Sequence, residues 1–299
     1  MKRMTTAIRF LAVALVYLVS FVVVSGALLS TAQPQPTPAE AAATLMALLI
    51  VSAISAAVWT YVVRRSRWSG WKLILTVFFV CYATGTLMPQ IETAYFVTTL
   101  PPGMLPRLFI AGVIISAIFS PLAVLILGKA RRHSIDASTR LKIPLSAWIL
   151  KLSLVAIAYV VIYFTFGYFI AWKSEAVRVY YGGNDPGSFI THLGNLIRTE
   201  PLLFLLQLAR GLLWAAIAVP VIKMMKGEWW EGGLAVALLF TMTSALLLLP
   251  NPLMPSAVRM AHLLETATSN FLFGWVVVII FLKERAPDGR ETQAAVARP

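Results

Sequence analysis

The chain has 299 residues, 59% of them hydrophobic and only 12% charged, with a mean hydropathy of +0.81. A soluble globular domain is about half apolar and about a quarter charged, so the composition excludes one and indicates an integral membrane protein. The net charge of +13 does not indicate nucleic acid as a partner: the basic residues sit in short runs between apolar segments, with no basic stripe interleaved with aromatics.

A helix needs about 20 apolar residues to cross the hydrocarbon core of a bilayer. The first such run, 10–29, comes after Lys2, Arg3 and Arg9. It has a rival reading as a signal peptide, with Ser30, Thr31 and Ala32 as the small-residue cleavage site, but it is longer than the usual apolar region of about 7 to 15 residues and reads as a retained span. Runs 41–63 and 73–91 come next, the latter with Pro89 expected to bend it, and then 108–127. The segment 128–144, with Lys129, Arg131, Arg132, His133 and Arg140, divides the helices into two groups of four and could touch anionic headgroups. The fifth run is 152–172. The loop 173–200 opens with a turn-rich stretch at 182–187 and then places Phe189, Leu193 and Leu196 or Ile197 at helical spacing, which predicts a short interfacial helix carrying His192. Runs 201–222, 233–249 and 256–282 complete eight spans.

The expected fold class is therefore all-α: one transmembrane domain over 1–283, a polytopic bundle of eight helices. The tail 284–299, with Pro287 and Gly289, reads as disordered. The lone Cys81 lies in an apolar run and cannot form an intrachain disulfide. With the N-terminus inside, 18 of the 25 Lys and Arg fall on the cytoplasmic side and five on the other, so the positive-inside rule predicts both termini cytoplasmic, in a bacterial-type inner membrane. Trp59, Trp68, Trp71, Trp172, Trp229 and Trp230 fall near span ends, as interfacial anchors do.

Ionisable groups inside spans carry the functional signal, because each costs at least about 2.5–3.5 kcal/mol at the bilayer centre unless it finds a partner or water. The eighth run holds Arg259, His262, Glu265, Thr266, Ser269 and Asn270 within an arc of roughly 140° at 100° per residue. The third places Thr86, Gln90 and Thr93 on one face with Glu92 at its shoulder. The sixth aligns Gln207, Arg210 and Trp214, with Arg210 roughly 12 Å below the outer boundary at 1.5 Å per residue, too deep to snorkel. These counts predict that Glu92, Arg210, Arg259, His262 and Glu265, with Gln90, Gln207 and Asn270 beside them, share a polar cavity toward the outer face. Each also has a plainer reading: an interhelical ion pair for Arg210, an interfacial carboxylate for Glu92, a headgroup contact for Arg259 and a local hydrogen bond between His262 and Glu265. Metal ligation by His262 and Glu265 is a lesser reading, since only Glu92 or His192 could add the third protein ligand that catalytic zinc takes.

No His-Glu-x-x-His, Gly-x-Ser-x-Gly, Walker or dinucleotide-binding pattern occurs, and no cofactor is implied. Three functions fit. The first is binding or transport of a small polar or amphipathic solute; the second is an intramembrane enzyme acting on a lipid or lipid-linked substrate at the outer leaflet; the third is a structural or regulatory subunit with a protein partner. Membrane lipids are partners in every case.

Overall fold

The computed structural model describes residues 2–29, 37–97, 100–131, 141, 143–251 and 253–282. The tail 284–299, residues 30–32 and most of the basic segment 128–144 lie outside the described residues. The described residues form eleven α-helices: α1 Lys2–Leu29, α2 Pro38–Arg65, α3 Gly70–Tyr82, α4 Met88–Phe96, α5 Met104–Ile126, α6 Leu145–Phe166, α7 Glu175–Tyr180, α8 Phe189–Thr199, α9 Pro201–Met224, α10 Trp229–Thr241 and α11 Ser256–Leu282. Three segments depart from α-helical geometry: π turns at Ala83–Leu87 and Gly167–Ala171, and a 3-10 stretch at Met242–Leu248.

Among the described residues eight stretches are long and apolar enough to cross a membrane, and each covers one of the eight apolar runs to within a residue. The protein is a multi-pass, all-α membrane bundle. Three of the eight are composite: α3 and α4 joined through the first π turn, α6 extended by the second, and α10 extended by the 3-10 stretch. The short helix expected in the loop 173–200 is α8, started by Ser188, whose hydroxyl accepts from the Thr191 amide at 3.2 Å. Its Ile190 and Ile197 are exposed. The segment ahead of the turn-rich stretch holds a further helix, α7, anchored by the fully buried Val177 against Ala171 and Val258.

Helix association within lipid depends on close packing, because lipid tails are as apolar as the side chains they would replace. Here α10 lies against α11 and α6 against α9, with α1 against α5 and α2. Two glycines set close approaches of one helix backbone to another. A Cβ at Gly274 would lie 2.4 Å from Ala237 Cα, and one at Gly211 would lie 2.8 Å from Ala156 Cα, so both helix pairs meet backbone to backbone.

One end of the bundle is locked by polar contacts between its connections. Arg67 N–H donates to Met224 O at 2.7 Å, Lys226 N–H to Arg65 O at 2.9 Å and Gly70 N–H to Lys129 O at 2.8 Å. Lys129 Nζ donates to Ser66 O at 2.8 Å, and Arg65 Nε to Glu231 Oε2 at 2.6 Å. Lys151, which falls among apolar residues in the sequence, sits at this end and donates to Phe281 O at 3.0 Å, capping the last turn of α11 with positive charge.

Replacing Gly274 with Leu forces the α10–α11 backbones apart and is expected to cost about 1–3 kcal/mol. Gly26→Leu, at a position where an added Cβ meets nothing within 4 Å, leaves stability unchanged. Thermal unfolding of the two variants in detergent, followed by tryptophan fluorescence, checks this.

Candidate functional site

The site begins on α9, where Gln207, Arg210 and Trp214 share one face and are 0%, 4% and 3% exposed. Gly211, next to Arg210, admits the α6 backbone, and this approach lays the guanidinium 5.5 Å from the Tyr159 ring centroid, a cation–π contact in a desolvated setting. Arg210 Nη1 donates to Gln207 Oε1 at 2.8 Å and to Glu92 Oε1. The Arg210 side chain is buried, whereas that of Glu92 keeps 31% exposure, so the ion pair bridges the interior and the rim of the bundle.

Glu92 reaches Arg210 from a span with a π turn. Pro89 has no N–H, and its ring conflicts with the carbonyl four residues earlier, that of Gly85. The helix widens over Ala83–Leu87, and Met88 N–H bonds to Ala83 O. A π turn inserts one residue and rotates the remainder of the helix by about 100°. The departure from α geometry thus lies just before Pro89, and helical spacing does not carry across it.

On α11, His262 Nδ1 lies 2.8 Å from Glu265 Oε2, and its Nε2 lies 3.2 Å from the Tyr181 hydroxyl. Tyr181 belongs to the loop after the fifth span, where burial raises its hydroxyl pKa well above the ordinary value and keeps it a proton donor. Every partner is satisfied when Tyr181 O–H donates to Nε2 and Nδ1–H donates to Glu265. Glu265, 8% exposed, also faces the second π turn, 3.6 Å from where a Cβ on Gly167 would stand. Tyr163 of α6 lies within electrostatic reach of Glu92, Glu265 and Arg210, and His262 within reach of Glu92. The third, fifth, sixth and eighth spans and one loop therefore contribute to a single polar layer.

The remaining candidates are placed differently. Arg259 turns to the end of the 3-10 stretch, where Nη1 donates to the carbonyls of Leu247 at 3.2 Å, Leu248 at 3.3 Å and Leu249. Those carbonyls end a helical segment, and a cation is their natural cap. Gln90 Oε1 is buried with no hydrogen-bond partner. Asn270 is half-buried further along α11 and takes no part in the network. Thr266 and Ser269 donate back to carbonyls of their own helix, which accounts for much of the polar stripe. His192 lies against Trp172 and Tyr168, with ring centroids 5.5 and 5.6 Å away, and burial lowers its pKa. Among the described residues, no group of three His, Cys, Asp or Glu side chains is placed to hold a metal.

Composition and spacing did not single out Tyr159, Tyr163 or Tyr181. The first two stand at i and i+4 in an apolar run and signal only an aromatic face; Tyr181 reaches His262 through the fold of the loop. A separate cavity of about 50 Å³ lies among the first four spans and the seventh, lined by Tyr17, Ser55, Thr86, Ser116 and Thr243, with no carboxylate or cation on its wall.

No known protein family, curated protein or solved structure matches this chain. Arg259→Gln is expected to lower stability by about 1.5–3 kcal/mol, the value of hydrogen bonds to a charged group. The loss is read from thermal midpoints in detergent, with Asn270→Ala, whose side chain joins no network, as the comparison.

Proposed function

We propose that this membrane protein binds or carries a small polar or amphipathic solute through the layer around Glu92 and Arg210. In this reading it sits in a bacterial-type cytoplasmic membrane with both termini cytoplasmic, so that the layer lies toward the outer surface. One observation carries the proposal: the Glu92–Arg210 pair joins two separate spans, while the Tyr181–His262–Glu265 chain joins a third span to a loop. A solute that competes for either set of contacts changes how these elements hold one another. Intramembrane ionisable groups are costly and are typical of solute and proton paths.

Arg210 supplies a fixed charge, whereas Glu92, Glu265 and His262 can exchange protons. A solute bound at the arginine displaces the Glu92 carboxylate from its partner, and in this reading that exchange links solute to proton. The π turns in the third and fifth spans give places where a helix can repack without losing its whole hydrogen-bond ladder.

The second reading, an intramembrane enzyme acting on a lipid or lipid-linked headgroup, draws on the Tyr181–His262–Glu265 chain alone, since a carboxylate orienting an imidazole is a general acid–base arrangement. A structural or regulatory subunit is what remains if neither chemistry is found.

In proteoliposomes loaded with a pH-sensitive dye, solutes that drive proton movement through the wild-type chain are expected to lose that coupling in Glu265→Gln while still binding. Unchanged coupling and binding across a broad solute panel in this variant would overturn the proposal. Headgroup turnover by the purified chain, lost in His262→Ala, would favour the enzyme instead.

A further inference from the structure

Three N–H groups on the buried face of α9 have no acceptor: Gln207 Nε2, Arg210 Nε and Trp214 Nε1. The residues are all more than nine-tenths buried, and Tyr159 connects two of them, its ring under the Arg210 guanidinium and its hydroxyl near Trp214 Nε1 without completing a hydrogen bond. A buried donor with no acceptor bears the full desolvation cost of an unmade bond, and native interiors avoid this. Gln207 Nε2 and Arg210 Nε, one turn apart on one helical face and one of them part of a cation, lack one thing in common: an anionic acceptor; Trp214 Nε1, with the Tyr159 hydroxyl beside it, completes the face.

We propose that this face is a binding site for the carboxylate of a small monoanion, which deepens the carrier reading by naming the charged group of its solute and rests on that reading only for transport. Glu92 indicates the chemistry, because its own carboxylate already occupies Arg210 Nη1. The incoming carboxylate displaces Glu92 and reaches inward to Arg210 Nε and Gln207 Nε2, with Trp214 Nε1 behind them. A planar guanidinium presents donors that match a planar carboxylate.

Charge sets the valence. One arginine faces Glu92 directly, with Glu265 in the same layer. His262, already paired with Glu265 and Tyr181, is the other group there that can carry positive charge. A monoanion takes over the single negative charge that Glu92 presents to Arg210, whereas a dianion leaves excess negative charge in a low-dielectric setting. Tyr159, Trp214 and Phe240 supply an apolar wall, the last two with ring centroids 4.3 Å apart, suited to a short alkyl group.

The test is equilibrium dialysis of the purified full chain in detergent against radiolabelled propionate. Saturable binding is expected, weakened about tenfold in Gln207→Leu and in Trp214→Phe, each of which removes one donor, and strengthened about tenfold in Glu92→Gln, which removes the internal competitor. Trp214→Phe keeps the ring packing, and Glu92→Gln is a gain of binding, so neither result can be mistaken for unfolding. Inorganic phosphate at equal ionic strength is not expected to compete. The proposal is overturned by absence of saturable binding in both wild type and Glu92→Gln, by affinities indifferent to Gln207→Leu and Trp214→Phe, or by phosphate competing as well as propionate. Propionate binding without proton-coupled flux upholds the site and removes the carrier reading; coupled flux of a neutral solute without propionate binding does the reverse.

Discussion

The bundle is organised around one unfavourable placement, a guanidinium among apolar helices. Arg210 is 4% exposed, so its side chain is withdrawn from solvent within the bundle. Its charge must therefore be answered from within the protein, and the answer comes from a different span, as the Glu92 carboxylate. That requirement ties the third span to the sixth. It also explains the company Arg210 keeps: the Tyr159 ring beneath it, Gln207 one turn away, and Gly211 beside it so that α6 can come close enough to supply that ring.

The two ends of the molecule are built on different principles. At the basic end, connections are stitched together by backbone hydrogen bonds, by Lys129 and by the Arg65–Glu231 pair, all fixing straight helices to their neighbours. Toward the other end the helices depart from α geometry in three of eight spans, and side chains rather than backbone make the cross-connections. Arg259 belongs to this second kind as a cap: it satisfies three carbonyls released by the 3-10 stretch, and its charge is consumed there. A rigid base and a more adaptable opposite end suit a protein whose proposed solute enters from one side.

The candidate residues were legible in the sequence because charge in an apolar run is rare enough to be seen singly. Glu92, Arg210, His262 and Glu265 stood out for that reason, and they are the ones brought into one layer. Arg259 satisfied the same criterion, yet its partners are backbone carbonyls, which every sequence has everywhere, so composition carries no trace of them. Gln90 and Asn270 were placed by helical spacing. For the third span that spacing fails at the π turn, because an inserted residue turns the faces on either side of it relative to each other. The tyrosines were hidden for a different reason: an aromatic residue is commonplace until its ring is seen against a guanidinium, as Tyr159 is, or its hydroxyl beside an imidazole, as that of Tyr181 is.

The sequence by itself determined the solvent and the class of fold. A run of about 20 apolar residues has few ways to satisfy its backbone outside a helix in lipid, so eight runs meant eight spanning helices, and the spacing of Phe189, Leu193 and Leu196 likewise marked the short helix α8. Which acid answers Arg210, whether His262 meets a partner beyond its own helix, and where Arg259 points were decided only by tertiary packing. Those outcomes depend on how closely neighbouring helices approach, on single residues such as Gly211, and on the rotation introduced by a π turn, none of which is a property of any one segment.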